Sequence, residues 1–486
     1  MDTNERADIM TIRYALPHFL SVAALAFALT AGPAHAETIR VAIGTQDTTI
    51  NCATGGLLIR ELNLLDKYLP HTGKYKDVTY DVQWKDFTSG APITNEMVAG
   101  KLDFGVMADF PGSLNGAAFQ KAGRKSVFIT VLSGSVDGSG NGIVVPENST
   151  IRSIADLKGK TISVPFASTS HGMLLRAIKA QGWNPDTDVN IITQAPEVAG
   201  SALKANKIDA HADFVPFADL FPYRGIARKI YDGAQSHAPT YHGALVDAAY
   251  AQKYPEVVVA YLRAAIEANR LIAQDPEKYS LLIQKTTGIE APVDYLYHGP
   301  LGLQTRDLTW KPEYRQATAT AIETLKLLKK TDVDLDVNTF IDDRYIRQAF
   351  KESGLDYDAS LKNYAKQPLV ANDAVTGKPI RNFNDVAQLW LDSEAKVRNY
   401  ASADEAFAAL GKIEQSGGKA RAVFVHDHAS GLKLFANQAW YVKDAHGAIT
   451  AFLLKTGADQ YAQQVSGAVV DFAAAKTGAA QAVASR

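Results

Sequence analysis

A row of small polar residues, STSHG at positions 168–172, lies between a strand-like and a helix-like segment of the sequence. Before it, apolar residues alternate with polar ones, and after it, apolar residues recur at helical spacing. The first amides of a helix have no partner within the helix, and the helix dipole is positive there. The segment therefore predicts a site for an anionic head group, with an ordinary helix N-cap as the alternative interpretation.

Three further loops have the same design. Positions 44–56, 86–92 and 107–113 are rich in small and polar residues, and each follows a predicted strand. In open α/β sheets, ligands bind outside the carboxyl ends of the strands. We therefore predict that these four loops meet at one binding cleft.

The candidate ligand-binding residues come from these loops and from the strand end near position 213. Acidic side chains beside an anion-binding turn suit a zwitterionic ligand, although each acid could instead be a solvated loop carboxylate. The candidates are Thr45, Gln46, Asp47, Ser89, Gly90, Asp109, Ser168, Thr169, Ser170, His171, Gly172, Asp213 and Phe217.

The elements that would position these residues alternate between strand and helix from Thr38 to about Val215, which predicts an α/β fold. From about Ala248 the pattern is helical, with breaks at Pro255 and Pro276. The polar stretch 356–378 has the composition of a linker. Residues 379–486 predict a small α+β domain that folds independently and has a β-hairpin turning at His446 and Gly447.

The composition limits the function classes. The chain has 486 residues and a net charge of −2, which gives no support to a nucleic-acid surface. Cys52 is the single cysteine, which excludes an intrachain disulfide. The sequence lacks the common hydrolase, zinc-protease and phosphate-loop motifs, so we expect no enzyme. We also expect a monomer without a required cofactor.

The first 36 residues are typical of a signal peptide. An apolar run from Phe19 to Leu29 precedes Ala34-His35-Ala36, which fits a cleavage site after Ala36. Met10 is an alternative start, because acidic residues precede it. The sequence thus predicts a soluble periplasmic protein.

Three segments resemble a known family. They resemble parts of the nitrate/sulfonate/taurine substrate-binding proteins of ABC transporters, and they follow one another along the chain in the order found in that family. The segments are "DFTSGAPITNEMVAGKLDFGVMADFP", "IRSIADLKGKTISVPFASTSHGMLLRAIKAQG" and "AQKYPEVVVAYLRAAIEANRLIAQDPEKY". The resemblance implies a type II periplasmic-binding-protein fold over 37–355. Its two hinged lobes would be lobe I at about 37–133 and 240–355, and lobe II at about 134–239.

The same resemblance implies a function. The protein would capture a small anionic or zwitterionic compound, sulfonate- or taurine-like or nitrate-like, and deliver it to an ABC permease and its ATPase. A thiamine pyrimidine-precursor binding protein is an alternative, because that family shares the fold.

The C-terminal residues 379–486 resemble the NosL-like family of copper-related accessory proteins, through "ARAVFVHDHASGLKLFANQAWYVKD". His426 and His428 are two residues apart, on one face of a predicted strand, and an H-x-H pair can seed a copper or zinc site. The family's soft ligands are missing, since no Met follows Met173 and no Cys follows Cys52. A metal delivery or assembly factor is therefore a further alternative.

Overall fold

The computed structural model of this protein describes residues 37–484. The predicted signal peptide and its cleavage site lie outside the described residues. Among the helices that the structure describes, none is both long and apolar enough to cross a lipid bilayer.

Ten strands form two five-stranded mixed sheets. The strands are β1 (Thr38–Thr45), β2 (Thr79–Asp86), β3 (Phe104–Ala108), β4 (Ser126–Ser135), β5 (Gly142–Pro146), β6 (Thr161–Val164), β7 (Asn190–Thr193), β8 (Ala210–Asp213), β9 (Ala227–Asp232) and β10 (Thr240–Asp247). The first sheet has the order β2-β1-β3-β10-β4 and the second the order β7-β6-β8-β5-β9. The chain crosses between the sheets after β4 and again after β9, which gives two lobes joined by two crossing segments.

Helices cover both sheets. They are α1 (Leu57–Glu61), α2 (Gly90–Val98), α3 (Asp109–Lys121), α4 (Thr169–Ala180), α5 (Pro196–Lys204), α6 (Phe217–Tyr223), α7 (Ala248–Lys253), α8 (Pro255–Gln274), α9 (Pro276–Thr287), α10 (Ala291–His298), α11 (Pro312–Leu327), α12 (Val337–Phe340), α13 (Arg344–Glu352) and α14 (Tyr357–Lys362). Short 3-10 turns lie at Ile50–Gly55, Gly73–Tyr75, Ile154–Leu157 and Gly233–Ser236.

The helical breaks predicted at two prolines are confirmed. Pro255 and Pro276 each occupy the first position of a helix, where a missing amide hydrogen costs nothing. Asp275 caps α9 by accepting a hydrogen bond from the amide of Lys278 at 3.1 Å. The apolar face of α8 is buried against the first lobe.

The C-terminal unit, residues 379–484, has two antiparallel sheets. Its strands are β11 (Ala387–Leu391), β12 (Arg398–Tyr400), β13 (Ala420–His426), β14 (Lys433–Phe435), β15 (Trp440–Lys443), β16 (Ile449–Phe452) and β17 (Ala468–Val470). Its helices are α15 (Ala403–Gln415), α16 (Lys455–Val465) and α17 (Phe472–Ala484), with a 3-10 turn at Ala436–Gln438. The predicted hairpin is confirmed, because β15 pairs with β16 around His446 and Gly447.

The segment 356–378, predicted as a linker, begins with helix α14. Asp356 caps this helix by accepting a hydrogen bond from the amide of Ala359 at 3.0 Å. Further along, Gln367 accepts a hydrogen bond from the amide of Leu301 at 3.0 Å and donates one to the carbonyl of Ala273 at 3.0 Å. The segment is thus bonded to the two-lobe body along its course.

The C-terminal unit packs on the body through a surface that we call the junction, formed by Tyr223 and Tyr295 of the body and Trp390, Phe424 and Phe435 of the unit. The Tyr295 ring lies 5.4 Å from both the Trp390 and the Phe424 rings, centroid to centroid. The Tyr223 ring lies 5.1 Å from that of Phe435. Tyr223 lies in α6 of lobe II, and Tyr295 lies in α10, which follows the helices of lobe I. The junction therefore contacts both lobes of the body.

Candidate functional site

A cleft of about 510 Å³ lies between the two lobes. Its walls come from the loops and helix starts that follow β1, β2 and β3 in lobe I and β6, β7 and β8 in lobe II. The polar residues that line it include Gln46, Thr49, Thr88, Ser89, Thr94, Asn95, Ser168, Thr169, Thr193, Gln194 and His242. The predicted meeting of the four loops therefore occurs at this cleft.

The start of α4 forms one wall of the cleft. Ser168 is its N-cap, and its hydroxyl accepts a hydrogen bond from the amide of His171 at 3.2 Å. The same hydroxyl lies 2.8 Å from that of Ser170. In the described chain, the amides of Thr169 and Ser170 have no hydrogen-bond acceptor. The N-cap interpretation is thus confirmed, and the anion site stays a prediction that the unpaired amides beside the cleft permit.

The start of α2 forms the facing wall. Ser89 occupies its N-cap position in an extended conformation and makes no side-chain capping bond. Gly90 lies so close to α3 that a Cβ atom there would be 2.5 Å from the Cβ of Pro111. The glycine therefore permits the close approach of α2 and α3, two lobe I helices whose starts both line the cleft.

An interlobe hydrogen bond closes the base of the cleft. The hydroxyl of Thr169 donates to Asp109 Oδ1 at 2.7 Å, and the amide of Phe110 donates to the same oxygen at 2.7 Å. Burial raises the pKa of Asp109 to about 6, and these two bonds oppose that rise only in part. Next to this bond, Gly172 lies against the Phe110 ring, 2.4 Å from where its Cβ would stand.

An aromatic stack forms the rim beside α4. The Phe166 ring is stacked on the His171 ring, with centroids 4.7 Å apart and planes 10° apart. On the rim, Lys330 Nζ lies 5.6 Å from the Phe166 centroid. Burial lowers the pKa of His171 to about 4, and its Nδ1 accepts a hydrogen bond from the amide of Ala167 at 3.2 Å. His171 is thus neutral at pH 7 and supports the turn.

Two predicted acids are neutralised away from the cleft. Asp47 pairs with Arg60 at 2.8 Å and accepts a hydrogen bond from the Thr45 hydroxyl at 2.8 Å. Asp213 is fully buried and bonds to His211 Nε2 at 2.7 Å. Both carboxylates therefore have partners of their own and stand behind the cleft lining, and their role beside an anion-binding turn stays a prediction.

The predicted site residues divide into two groups. Five line the cleft: Gln46, Ser89, Gly90, Ser168 and Thr169. The others stand behind that lining: Thr45, Asp47, Asp109, Ser170, His171, Gly172, Asp213 and Phe217. Phe217 lies in α6, 8 % exposed, and packs on Phe214 and Phe221.

Some lining residues were missed by sequence reasoning. Thr49 is buried, and its Oγ1 has no hydrogen-bond partner in the described chain. Gln194, at the end of β7, has an unpartnered Oε1. His242 comes from β10 and accepts a hydrogen bond from Asn51 at 3.0 Å. Thr49 lies within the loop already singled out, whereas the other two depend on strand order, which the sequence does not show.

A chain of three residues in lobe II has the composition of a catalytic triad. The Ser163 hydroxyl lies 2.7 Å from His211 Nδ1, and His211 Nε2 lies 2.7 Å from Asp213. All three side chains are fully buried and none lines the cleft. With no access for a substrate at Ser163, this arrangement connects β6 to β8 and offers no nucleophile.

Cys52 lies in the 3-10 turn after β1, 1 % exposed. Burial raises the pKa of its thiol well above the usual range. Its neighbour Asn51 bonds to Gln304 at 2.6 Å and to His298 at 2.8 Å. The thiol is thus part of the packed wall behind the cleft and is unreactive there.

The two histidines of the predicted metal pair, His426 and His428, differ in burial. His426 is buried, with Nδ1 2.9 Å from the carbonyl of Val386. His428 lies beyond the end of β13, exposed, with its ring 4.8 Å from the Tyr461 ring. Within residues 37–484, no group of three or more metal-ligating side chains occurs. A copper or zinc site here stays a prediction, as does the NosL-like resemblance.

The fold and the cleft define a two-lobe binding protein, and comparisons with known proteins agree. The family model described as "NMT1/THI5 like" matches residues 71–279. The putative aliphatic sulfonates-binding protein of Escherichia coli K12 is 30% identical over 291 residues, which cover 60% of this chain and 83% of that protein. The taurine-binding periplasmic protein of the same organism is 31% identical over 198 residues, covering 40% of this chain and 59% of that protein.

Solved structures share the architecture. The periplasmic aliphatic sulphonate binding protein SsuA of Escherichia coli superposes with a TM-score of 0.50 and 25% identity, covering 63% of this chain and 92% of that one. The nitrate-binding protein NrtA of Synechocystis PCC 6803 gives a TM-score of 0.52 at 14% identity, covering 69% of this chain and 93% of that one, which shows the fold alone. The chain belongs to the NMT1/THI5-like family, with the aliphatic sulfonate- and taurine-binding periplasmic proteins among its relatives.

Proposed function

We propose that this protein is the periplasmic solute-binding component of an ABC importer, and that its ligand is an organic sulfonate with an apolar body. The observation that carries the proposal is the pair of helix starts, α2 and α4, that face each other across the cleft with unpaired amides. Such amides bind an anionic head group without a lysine or arginine directly beside it. The named relatives bind sulfonates and taurine, which supports the same head group.

The rest of the lining favours an apolar body on that head group. Twelve apolar side chains line the cleft, namely Ala91, Ala108, Pro111, Leu114, Ala117, Ala118, Pro165, Phe166, Ala167, Ala195, Pro196 and Phe214. A volume of about 510 Å³ far exceeds what nitrate fills. Apolar surface and this volume therefore support a sulfonate with a hydrocarbon chain or ring.

The charges of the lining argue against a ligand with an ammonium group. Lys121 and Lys330 are its basic residues, and exposed Glu197 is its acidic residue among those described. Asp47, Asp109 and Asp213 do not line the cleft. A taurine-like zwitterion would thus find one rim carboxylate for its ammonium group, so we rank it below a simple alkanesulfonate.

A pyrimidine precursor of thiamine is the weaker candidate. It would need an aromatic face for stacking, and the cleft offers the rings of Phe166 and Phe214. One face of Phe166 is stacked on His171, and Lys330 lies over the ring. That arrangement favours an anion near Lys330 over a stacked base.

Calorimetry on the mature protein tests the ligand class. We expect octanesulfonate to bind at least tenfold more tightly than taurine and than octanesulfonamide, which keeps the shape and lacks the charge. Equal affinity for the sulfonamide would contradict the anion site, and tighter binding of taurine would contradict the apolar body. Nitrate, which is too small for the cleft, serves as the control anion.

We infer the partners and the cellular location of this protein from the role of its family. We expect a monomer in the periplasm, released by cleavage after Ala36, that docks on a permease with its ATPase and carries out no catalysis. Small-angle scattering with and without octanesulfonate should show a smaller radius of gyration on binding, as hinged lobes close.

A further inference from the structure

The rings of the junction make one continuous contact between the two lobes. The Phe435 ring lies 5.1 Å from the Tyr223 ring and 5.4 Å from the Phe424 ring, centroid to centroid. The Phe424 ring in turn lies 5.4 Å from that of Tyr295. The contact thus runs from α6 of lobe II, through the C-terminal unit, to α10. None of these rings lines the cleft.

The C-terminal unit is bonded to lobe I through the start of helix α9. Lys396 Nζ lies 2.6 Å from Asp275 Oδ1 and 3.2 Å from Glu277 Oε2. The amide of Val397 donates to the other carboxylate oxygen of Glu277 at 3.2 Å, and that side chain is buried. Helix α9 packs on α8 and α10, and α8 packs on the elements of lobe I. The unit therefore moves with lobe I.

The attachment of the unit to lobe II is smaller and lies at the end of α6. Tyr223 is half-buried there, and its hydroxyl donates to the carbonyl of Arg421 at 3.1 Å. The side-chain amide of Gln438 donates to the carbonyl of Pro222 at 3.3 Å. One ring and two hydrogen bonds to carbonyl oxygens thus hold this end of lobe II to the unit.

Helix α6 begins near the hinge and ends at the junction. The Tyr297 hydroxyl lies 2.5 Å from Asp219 Oδ2, in the first turn of α6, and 2.8 Å from the carbonyl oxygen of Gly140, in the segment that crosses from β4 to β5. Tyr223 is four residues beyond Asp219, which is about 6 Å further along the helix axis. A rotation of lobe II about the hinge therefore displaces Tyr223 relative to the unit.

The contacts of Tyr223 occur together with a closed cleft. In the same structure, Thr169 of lobe II donates to Asp109 of lobe I at 2.7 Å. The backbone of Gly172 also lies against the Phe110 ring across the lobe boundary. The attachment at α6 and the interlobe contacts thus belong to one arrangement of the lobes.

We propose that Tyr223 is a positioning residue through which the C-terminal unit stabilises the closed arrangement of the lobes. A contact made in one of two arrangements shifts the equilibrium toward that arrangement. Because closed lobes hold a solute from both sides, the unit raises the affinity of the cleft without touching the solute. The proposal rests on the solute-binding function proposed above and adds its regulation by the C-terminal unit.

Calorimetry with octanesulfonate on the full mature chain tests the role of Tyr223. Tyr223→Ala should lower the affinity at least threefold, whereas Tyr223→Phe keeps the ring and should stay within twofold of the unmodified protein. Since Tyr223 does not line the cleft, a merely structural role leaves this affinity unchanged. Tyr345→Ala, which removes a half-buried ring from α13 of lobe I, is the matched control and should have no effect.

A variant on the side of the unit covers the case in which Tyr223→Ala does not give the native circular dichroism spectrum. Gln438→Ala removes the hydrogen bond to Pro222 and should lower the affinity about twofold. Unchanged or tighter binding in the variants that fold would overturn the proposal, because the unit would then not favour the closed lobes.

Small-angle scattering without ligand separates this proposal from the proposed function. If octanesulfonate does not bind the unmodified protein, the proposed ligand is wrong, and scattering alone decides the role of Tyr223. Tyr223→Ala should then have a larger radius of gyration than the unmodified protein and than Tyr345→Ala, as its lobes open. Equal radii would overturn the proposal.

Discussion

Two interfaces connect parts of this chain, the cleft between the lobes and the junction that holds the C-terminal unit. The cleft surfaces combine apolar side chains with unmet polar groups, namely the amides of Thr169 and Ser170 and the hydroxyl of Thr49. The junction is aromatic, since Tyr295 packs on Trp390 and Phe424 and also accepts a hydrogen bond from Gln388 at 3.2 Å. The first interface encloses an open space beside its unpaired polar groups, whereas the second is filled by packed aromatic rings.

The difference indicates which contacts move. Lobes that bind a solute must separate and close, so their facing surfaces cannot be a continuous apolar core. The junction is such a core, and it includes Lys433, fully buried, whose ammonium group lies 4.1 Å from the Tyr295 centroid and donates to the carbonyl of Pro300 at 3.2 Å. We therefore expect the C-terminal unit to stay attached while the lobes move.

The largest expected effect is at the junction. Tyr295→Ala should lower the free energy of unfolding by about 3–5 kcal/mol, because it removes a buried ring from between two others. Urea unfolding followed by circular dichroism measures it. The matched control, Tyr295→Phe, loses only the hydroxyl and should cost about 1 kcal/mol. If Tyr295→Ala costs no more than Tyr295→Phe, the ring does not hold the unit to the body.

A smaller effect is expected at Asp109, at the base of the cleft, where a substitution should raise the free energy of unfolding. Burial raises the pKa of Asp109 to about 6, so the folded chain retains a proton that the unfolded chain loses near its usual pKa of about 4. Stability from this group is complete below about pH 4 and falls as the pH rises to about 6. At pH 7, Asp109→Asn should raise the free energy of unfolding by about 2–3 kcal/mol.

The measurement for Asp109 is urea unfolding at several values between pH 4 and pH 7. Asp109→Asn should flatten the fall seen in the unmodified protein over this window. Thr169→Val, which removes the interlobe donor, should instead steepen it. Parallel curves for the Asn variant and the unmodified protein would mean that Asp109 is ionised without penalty in the closed cleft.

The smallest expected effect concerns Thr49 in the cleft, whose hydroxyl should matter for ligand affinity and not for stability. Thr49→Val keeps the shape and removes a hydroxyl that has no partner among residues 37–484, so stability should change by less than about 0.5 kcal/mol. Affinity for octanesulfonate should fall about three- to tenfold if this hydroxyl donates to the head group. Calorimetry and thermal melting measure both quantities. A loss of stability with unchanged affinity would make Thr49 a structural residue.

Local signals in the sequence predicted much of the fold. The prolines at positions 255 and 276 started helices, and the STSHG segment was capped by Ser168, because both effects act within one turn of a helix. The cap of α14 had the same kind of signal in Asp356, within a stretch whose composition suggested a linker.

The site was less predictable because its chemistry depends on partners far along the chain. Nothing near Asp47 shows that Arg60 neutralises it, and nothing near Asp109 shows that it accepts a hydrogen bond from Thr169 across the cleft. Arg306 and Lys366 line the same large cavity only because the segment 360–368 follows this path through the fold. Sequence patterns specify which loops are polar, and the register of strands and segments decides which polar groups remain free.

The lone buried thiol has a practical consequence for watching the lobes move. Cys52 is the single cysteine in the sequence, and it is shielded from solvent by the wall behind the cleft. A pair of cysteines introduced on exposed positions of opposite lobes, such as Lys85 and Val198, would therefore take up two fluorescent dyes with little background at position 52. Energy transfer between such dyes would report opening and closing directly on single molecules, with the native thiol left in place.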